Sequence, residues 1–266
     1  MAHLEQSPET LTIEQTSLEL GTEGLKARLA RTLGRAGLAD NEFIQRSIAL
    51  GLDLHADDRR SREPYNNHIL RVVLRILEEL EITDVPTVAA GALHDSIEDH
   101  EVELIEQFLD REAPEDPWLR RELGCEALRV FCAPYRFVDT PNLVLAVSNP
   151  VLRPGEMKND VYFDHTGQLG RYGDRRAVAV KSGADWPDNT WVHPGAEAPE
   201  KRHGLDIKQL PIYPLHEIAI NRPDSLIVGE PRKKLLATLA TRRMQAQRRL
   251  GLDSDAAFEQ DSLRSA

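Results

Sequence analysis

The residues best suited to chemistry stand together in one short stretch, His94-Asp95-Ser96-Ile97-Glu98-Asp99, at the end of an alanine-rich apolar run. Read as a continuous helix, the stretch places His94 and Glu98 on one face and Asp95 and Asp99 one step around it, because residues four apart are neighbours on a helix. Ionisable groups on an otherwise apolar helix need a charged partner or a metal ion. A mixed histidine and carboxylate set suits first-row divalent cations such as manganese, iron, cobalt or zinc.

The same six residues also fit a plainer structure, a solvated acidic turn that ends a helix. A short motif occurs often by chance, so the His-Asp pair alone does not establish a metal site. Further evidence has to come from the rest of the chain.

Composition limits the class of protein. The 266 residues suffice for one larger domain with extensions, and 41% hydrophobic with 29% charged residues is typical of a soluble globular protein. The formal charge of −11 argues against binding nucleic acid or an anionic membrane over the whole surface, so an anionic substrate would need a local basic pocket. Cys125 and Cys132 match neither a redox nor a zinc spacing and are expected to be buried thiols.

The location in the cell is also predicted from composition. No stretch is apolar for the length of a membrane span, and the N-terminus MAHLEQSPETLTIEQ lacks the basic and apolar segments of a secretion signal. We therefore expect a cytoplasmic protein that does not associate with membranes. The sequence leaves open whether it forms a homo-oligomer or binds another protein.

The spacing of apolar residues predicts helices joined by loops, without alternating strand patterns, and hence an all-α class. Residues 1–21 are polar and predict a loose arm, whereas 22–38 predict an amphipathic helix that packs on the main domain or binds a partner. Further helices are predicted from a cap at Asp40 or Asn41 to His55 and over 66–81, 84–99, 119–132, 160–170, 175–184, 208–219 and 230–250.

These elements suggest three segments along the chain. Residues 1–40 hold the arm and the amphipathic helix, 41–220 form the main domain, and 221–266 hold a terminal helix, basic on its outer face, with a frayed tail. The stretch 133–158 is punctuated by prolines, and 143–147 fits either a short strand or a helix.

Four pieces of the chain, taken in order, resemble a known family: His55, then RRSREPYNNHILRVVLRILEEL, then TVAAGALHDSIEDH, then VKSGADWPDNT. From about Asn41 to about Thr190 they are similar to the hydrolase domain of the RelA/SpoT family. These are HD-superfamily enzymes that remove the 3′-pyrophosphate from (p)ppGpp. The three motifs that follow His55, found in the right order, are far more specific than one His-Asp pair.

The resemblance implies an HD phosphohydrolase domain and a set of site residues. Its metal ligands, normally of Mn²⁺ with other divalent cations as alternatives, would be His68, His94, Asp95 and Asp185. Glu98 and Asp99 match the pair that handles the attacking water. Arg59, Arg60 and Ser61 match a loop that faces the nucleotide, and Asn189 fits the position on the ribose-phosphate side. A chain this short looks like a small alarmone hydrolase, without the family's synthetase and regulatory domains.

The residue types agree with such a reaction. Cleavage of a pyrophosphate ester beside several negative charges repels an anionic nucleophile, and a divalent cation both neutralises an oxygen and acidifies water. Glu98 can accept the proton of that water if it is held nearby. Arg59, Arg60 and Arg62 can grip phosphates or stack on a base.

The chain departs from the family at several positions. Arg62 stands where the family has glycine, and Ile69 stands where a proline follows the ligand histidine. The usual Asp-Arg-Leu-His-Asn reads Asp185-Trp186-Pro187-Asp188-Asn189, after one additional residue. Because proline breaks a helix interior, we expect a different backbone around Asp185. The substrate is therefore open between (p)ppGpp, a relative such as (p)ppApp, and another nucleotide phosphoester.

Each of these residues also has a purely structural interpretation. His68 can cap a helix or bond within the core, Asp185 can cap a turn, and the arginines can form a solvated loop. His55 fits a core histidine and is left outside the metal set. A non-catalytic module that binds nucleotide or protein through 22–38 and 230–250 is the third hypothesis.

Overall fold

The computed structural model describes residues 11–60, 63–191 and 199–252, with the backbone alone for 199–201. Within these segments the chain is predominantly helical, with one short hairpin, which confirms the predicted all-α class. None of the described helices combines the length and apolar character needed to cross a lipid bilayer. Both cysteines are buried free thiols, as predicted.

The N-terminal helix α1 (Ile13–Arg35) begins well before residue 22, where the sequence predicted its start. Thr12 Oγ1 accepts a hydrogen bond from Gln15 N at 3.1 Å, and Gln15 Oε1 accepts one from Thr12 N at 2.8 Å, which forms a capping box. Gly21, at φ 60°, kinks the helix. The predicted loose arm is therefore wrong for residues 11–21, and residues 1–10 lie outside the described part. The helix packs on the main domain through three buried leucines, Leu25, Leu29 and Leu33.

The other helices are α2 (Glu42–Leu54), α3 (Asn66–Leu74), α4 (Val85–Leu93), α5 (Ser96–Asp99), α6 (Glu101–Leu109), α7 (Pro117–Cys132), α8 (Thr140–Val147), α9 (Lys158–Tyr172), α10 (Arg175–Val178), α11 (Trp186–Thr190), α12 (Pro199–Gln209), α13 (Tyr213–Ile220) and α14 (Gly229–Arg249). Most of them coincide with predicted ones, but α12 begins in a stretch for which no helix was predicted, and the helix predicted over 84–99 is divided into α4 and α5. The loop between α2 and α3 carries a hairpin in which β1 (Arg59–Arg60) pairs antiparallel with β2 (Glu63–Pro64). The ambiguous stretch 143–147 is helical, within α8.

The centre of the core is the pair α3 and α4, with α1, α2 and α8 packed around it. Helix α3 is buried on almost every side, and α4 presents the small residues Ala89, Ala90 and Ala92 to its neighbours. Helix α2 approaches α4 so closely at Gly51 that a Cβ there would lie 2.2 Å from Ala92 O. This close contact holds the end of α4, and therefore His94, in place.

Two π-helical turns, Arg75–Glu79 and Ala179–Asp185, interrupt the regular helices. The second turn ends at Asp185 and leads directly into α11. Pro187 lies in the first turn of α11, where a missing N–H removes no helical hydrogen bond. The expected difference from the family's backbone around Asp185 stays a prediction.

Helix α14 corresponds to the predicted basic helix, but several of its cations face the body of the protein. Arg249 Nε donates to Asp206 Oδ2 at 2.6 Å, and Arg242 Nη1 donates to Thr190 Oγ1 at 3.0 Å. Arg232 Nε donates to Ile227 O at 2.6 Å. The prediction that the basic residues form an outer face is wrong for Arg242 and Arg232, which are partly buried, whereas Arg249 is exposed and pairs with the buried Asp206.

Candidate metal centre

The side chains of four predicted ligands converge from three distant parts of the chain. His68 Nε2 lies 3.1 Å from His94 Nε2, and Asp185 Oδ1 lies 3.3 Å and 3.5 Å from these two nitrogens. Asp95 Oδ2 lies 2.8 Å from His94 Nε2 and 3.6 Å from His68 Nε2. Ligands that each lie about 2.0–2.2 Å from one cation are separated by about 3 Å. The ligand atoms of His68, His94 and Asp185 all lie within 4.8 Å of one another and fit a divalent cation in chemistry and spacing, and Asp95 Oδ2 lies beside the two imidazole nitrogens.

The helix that carries the His-Asp pair is interrupted, contrary to the prediction of one continuous helix. Helix α4 ends at Leu93, His94 and Asp95 form a turn, and α5 begins at Ser96. Ser96 Oγ donates to Leu93 O at 2.6 Å and competes there with the helical hydrogen bond. The turn brings the Asp95 carboxylate to the His94 imidazole.

Each imidazole is oriented by a hydrogen bond on its other nitrogen. His68 Nδ1 lies 2.8 Å from Asp188 Oδ2, and His94 Nδ1 lies 2.9 Å from Gly91 O. Because these oxygens can only accept, each Nδ1 carries a proton, and in the neutral ring that binds a metal the Nε2 lone pair faces the centre. This is the tautomer that a metal ligand requires.

The electrostatic field at the centre favours a cation. Burial opposes a charge on His94, but the carboxylates of Asp95 and Asp185 raise its pKa to about 10. Burial likewise opposes ionisation of Asp185, yet Lys181 and the two imidazoles hold its pKa well below the usual value. Both carboxylates therefore stay ionised at neutral pH and attract positive charge.

Asp188 lies behind His68 and was not predicted as a site residue. Its side chain is fully buried, and it accepts hydrogen bonds from Arg71 Nε at 2.9 Å and from Arg75 Nη2 at 3.3 Å. Arg71 also donates to both oxygens of Glu63 at 2.8 Å. The sequence did contain a signal for a buried acidic partner, because Arg71 and Arg75 lie within the apolar stripe of the helix that follows His68.

The two carboxylate ligands also have neighbours that hold them. Lys181 Nζ lies 2.8 Å from Asp185 Oδ2, and Asn189 Nδ2 donates to Asp185 Oδ1 at 2.6 Å. Tyr65 Oη donates to Asp95 Oδ2 at 2.5 Å. Of these three residues, the sequence predicted only Asn189, as a substrate-binding residue.

A cavity of about 490 Å³ opens over Asp95 and Asp185. Five basic side chains line it: Arg60, Arg121, Lys158, Lys181 and Lys208. Its four carboxylates belong to the ligands Asp95 and Asp185 and to Glu98 and Asp99. A chain with a formal charge of −11 thus has the local basic pocket that an anionic substrate would need.

The remaining predicted residues lie at different distances from this cavity. Glu98 lines it, with Oε2 and Oε1 accepting hydrogen bonds from Asn149 N at 2.8 Å and Asn149 Nδ2 at 2.7 Å. Asp99 also lines it, and partial burial together with the charges of Asp95 and Glu98 raises the pKa of Asp99 to about 6. Arg59 is exposed on β1 and does not line the cavity.

Arg60 and Asn189 both line the cavity and contact each other, since Arg60 Nη2 donates to Asn189 Oδ1. Arg60 Nη1 is buried and has no hydrogen-bond partner within the described segments. This nitrogen is therefore available to an anionic ligand. Ser61, also predicted to face the nucleotide, and Arg62 lie outside the described residues.

Comparison of the chain with protein-family models, with curated proteins and with solved structures gives no match. Any function therefore has to be argued from the side chains themselves. The strongest basis is the convergence of His68, His94, Asp95 and Asp185 beside the basic cavity.

Proposed function

We propose that the chain is a metal-dependent pyrophosphohydrolase that removes the 3′-pyrophosphate from (p)ppGpp or from a related alarmone such as (p)ppApp. One observation carries the proposal. Two buried imidazoles and two carboxylates meet, the two carboxylates line a cavity, and the other charged side chains of that cavity are five cations and two carboxylates. That combination suits hydrolysis of a substrate with several phosphates.

In this proposal His68, His94, Asp95 and Asp185 hold the cation. A bound Mn²⁺ or other divalent cation would neutralise a phosphate oxygen and lower the pKa of water. Of the two acidic residues expected to handle water, Glu98 has both oxygens occupied by Asn149, which suits a positioning role. Asp99 lines the cavity with its pKa raised to about 6, which suits it to accept a proton near neutral pH.

The basic residues of the cavity would bind the phosphates. Arg60 offers the unpartnered Nη1, and its guanidinium can bind two phosphate oxygens at once. Lys208 lies over the Tyr162 ring at 5.3 Å, and burial with the nearby Lys158 lowers its pKa. A group of cations that repel one another is stabilised by a polyanionic ligand, which again favours a nucleotide with several phosphates.

The test is to measure pyrophosphate release with Mn²⁺ from ppGpp and ppApp, and from GTP as a nucleotide without a 3′-pyrophosphate. We expect release from at least one of the first two and none from GTP. Asp95→Ala should abolish the release, whereas Asp164→Ala, on the exposed side of α9, should leave it unchanged. Absence of release from both alarmones by the Mn²⁺-loaded wild type would refute the proposal.

A second candidate retains the metal centre and changes the substrate to another nucleotide phosphoester. It is favoured by the contact between Arg60 and Asn189, because two residues expected to bind the substrate bind each other instead. Orthophosphate release from nucleoside monophosphates, without pyrophosphate release from alarmones, would support this candidate.

A further inference from the structure

A second group of ligand atoms lies on the loop that follows α2 and at the junction of α5 and α6. Asp58 Oδ2 lies 2.7 Å from His55 Nδ1 and 2.8 Å from His100 Nε2, and these two nitrogens are 3.1 Å apart. The His55 side chain is buried, whereas Asp58 is 40% exposed. None of the three residues belongs to the predicted ligand set.

We propose that His55, Asp58 and His100 form a second cation site, for a borderline divalent metal such as Zn²⁺. Two imidazole nitrogens and one carboxylate oxygen are typical protein ligands of zinc, and a fourth position would remain open to solvent beside Asp58. The proposal does not depend on the hydrolase function.

The hydrogen-bonding capacity of the three groups supports a cation. His100 Nδ1 lies 3.2 Å from Glu103 Oε1, which can only accept, so Nδ1 carries the proton and a neutral ring turns the Nε2 lone pair toward His55. In the neutral rings that bind a metal, the His100 proton is on Nδ1, so the two facing nitrogens share at most one proton, which comes from His55, and a single Asp58 oxygen. A divalent cation between them satisfies both lone pairs and the carboxylate together, and Glu103 then acts as the outer carboxylate that orients a ligating histidine.

Backbone hydrogen bonds fix the loop that carries His55 and Asp58, while the side chain of Asp58 stays able to adjust. Asp58 N donates to His55 O at 3.2 Å, and Tyr65 N donates to Asp58 O at 3.0 Å. Zinc ligands at about 2.0–2.1 Å are separated by about 3.3 Å, so the present group has to open by a few tenths of an ångström. The partly exposed Asp58 side chain can make that movement, and its exposure also provides the path of entry.

Tyr65 connects this second site to the first. Its ring stacks on the His55 ring at a centroid distance of 4.5 Å, and its hydroxyl donates to Asp95 Oδ2 at 2.5 Å. A cation held by His55 would therefore fix the ring against which Tyr65 packs. The two sites are separate in their ligands but share this one neighbour.

The proposal is tested by Zn²⁺ stoichiometry of the full chain, stripped with EDTA and titrated by calorimetry with metal content checked after gel filtration. We expect two equivalents for wild type and for His203→Ala, which removes an exposed histidine outside both groups. His100→Ala and His94→Ala should each retain one equivalent. Asp58→Asn, at a partly exposed position that tolerates substitution, should weaken one of the two binding events at least tenfold, and Glu103→Gln should weaken it about tenfold.

The second site would be overturned if His100→Ala and Asp58→Asn both bind Zn²⁺ with the stoichiometry and affinity of wild type. It would also be overturned if the wild-type protein binds no second equivalent. Circular dichroism of the metal-free proteins checks that His100→Ala folds, and Asp58→Asn decides the question if it does not. If the first centre binds no cation, the results differ. Zinc binding is then unchanged in His94→Ala and still reduced in His100→Ala.

Discussion

His68 Nδ1 donates a hydrogen bond to Asp188 Oδ2 across 2.8 Å, and both side chains are shielded from solvent. Asp188 is not a candidate ligand, yet it determines which nitrogen of His68 faces the metal centre. It also pairs with Arg71 and Arg75, two buried arginines whose other carboxylate partners are Glu63 for Arg71 and Glu14 and Glu79 for Arg75. One carboxylate thus serves both the site and the core.

Replacing Asp188 by asparagine should therefore affect both properties. The amide no longer imposes one tautomer on His68, so metal affinity should fall about 10–100-fold. The loss of charge beside Arg71 and Arg75 should lower the free energy of unfolding by about 3 kcal/mol. Metal titration and urea unfolding measure the two effects. Asp164→Asn, on the surface of α9, is the control, and an unchanged metal affinity in Asp188→Asn would show that the hydrogen bond has no role at the centre.

Arg60 and Arg59 are adjacent and differ in position, since Arg60 lines the cavity and Arg59 is exposed. A hydrogen bond to a charged group contributes about 1.5–3 kcal/mol, so Arg60→Ala should raise the KM for an alarmone by about 10–100-fold. Arg59→Ala should change it less than threefold. Steady-state kinetics compare the two variants. Equal effects would mean that the whole basic loop faces the nucleotide, as the family resemblance predicts.

The close approach of α2 and α4 should not tolerate a methyl group at Gly51. A Cβ there would lie 2.2 Å from Ala92 O, a backbone atom that can move only with the helix that carries His94. Gly51→Ala should therefore lower the free energy of unfolding by about 1–3 kcal/mol. Gly34→Ala is the matched control, because nothing lies within 4 Å of a Cβ at that position in α1 and the substitution should stabilise slightly. Equal unfolding free energies for the two variants would contradict the tight contact.

His216 should make stability depend on pH in the acid range. Its Nδ1 contacts Ser182 Oγ at 2.8 Å, its Nε2 has no partner within the described segments, and burial together with Lys181 lowers its pKa to about 3. The unfolded state, with a pKa of about 6.5, binds a proton that the folded state does not. The stabilisation from the neutral ring is thus complete above about pH 6.5 and declines as the pH falls toward about 3, by up to about 1.4 kcal/mol per unit.

The variant His216→Asn removes this titration and keeps a polar atom near Ser182. Urea unfolding at several pH values between about 7 and about 4 should show a smaller acid loss of stability in the variant than in wild type. Parallel curves would mean that His216 is not the group responsible.

The sequence predicted the fold class and most helices because each helix buries one apolar face, and that periodicity is legible without tertiary information. It did not predict the start of α1, where Thr12 and Gln15 form a capping box in a stretch with a weak apolar pattern. The break at His94 also escaped prediction, because it depends on the local hydrogen bond from Ser96 Oγ to Leu93 O.

The candidate ligands were found through the order of the motifs, whereas the residues that support them were not. Lys181 and Asp188 are residue types usually found at the surface, and only the packing of the π-helical turn Ala179–Asp185 and of α11 against α3 shows that they are buried. Likewise, nothing in the spacing of His55, Asp58 and His100 indicates that a loop and a helix junction bring them together.

The most direct measurement of the central claim is X-ray diffraction at the manganese absorption edge from crystals grown with Mn²⁺. We predict an anomalous peak among the four candidate ligands, at about 2.0–2.2 Å from each ligand atom to within about 0.2 Å, as is typical of imidazole and carboxylate ligands. The ligand atoms should be Nε2 of His68 and His94 and carboxylate oxygens of Asp95 and Asp185. The peak should vanish in His94→Ala. Wild-type crystals that contain Mn²⁺ but show no peak among these four side chains would contradict the account.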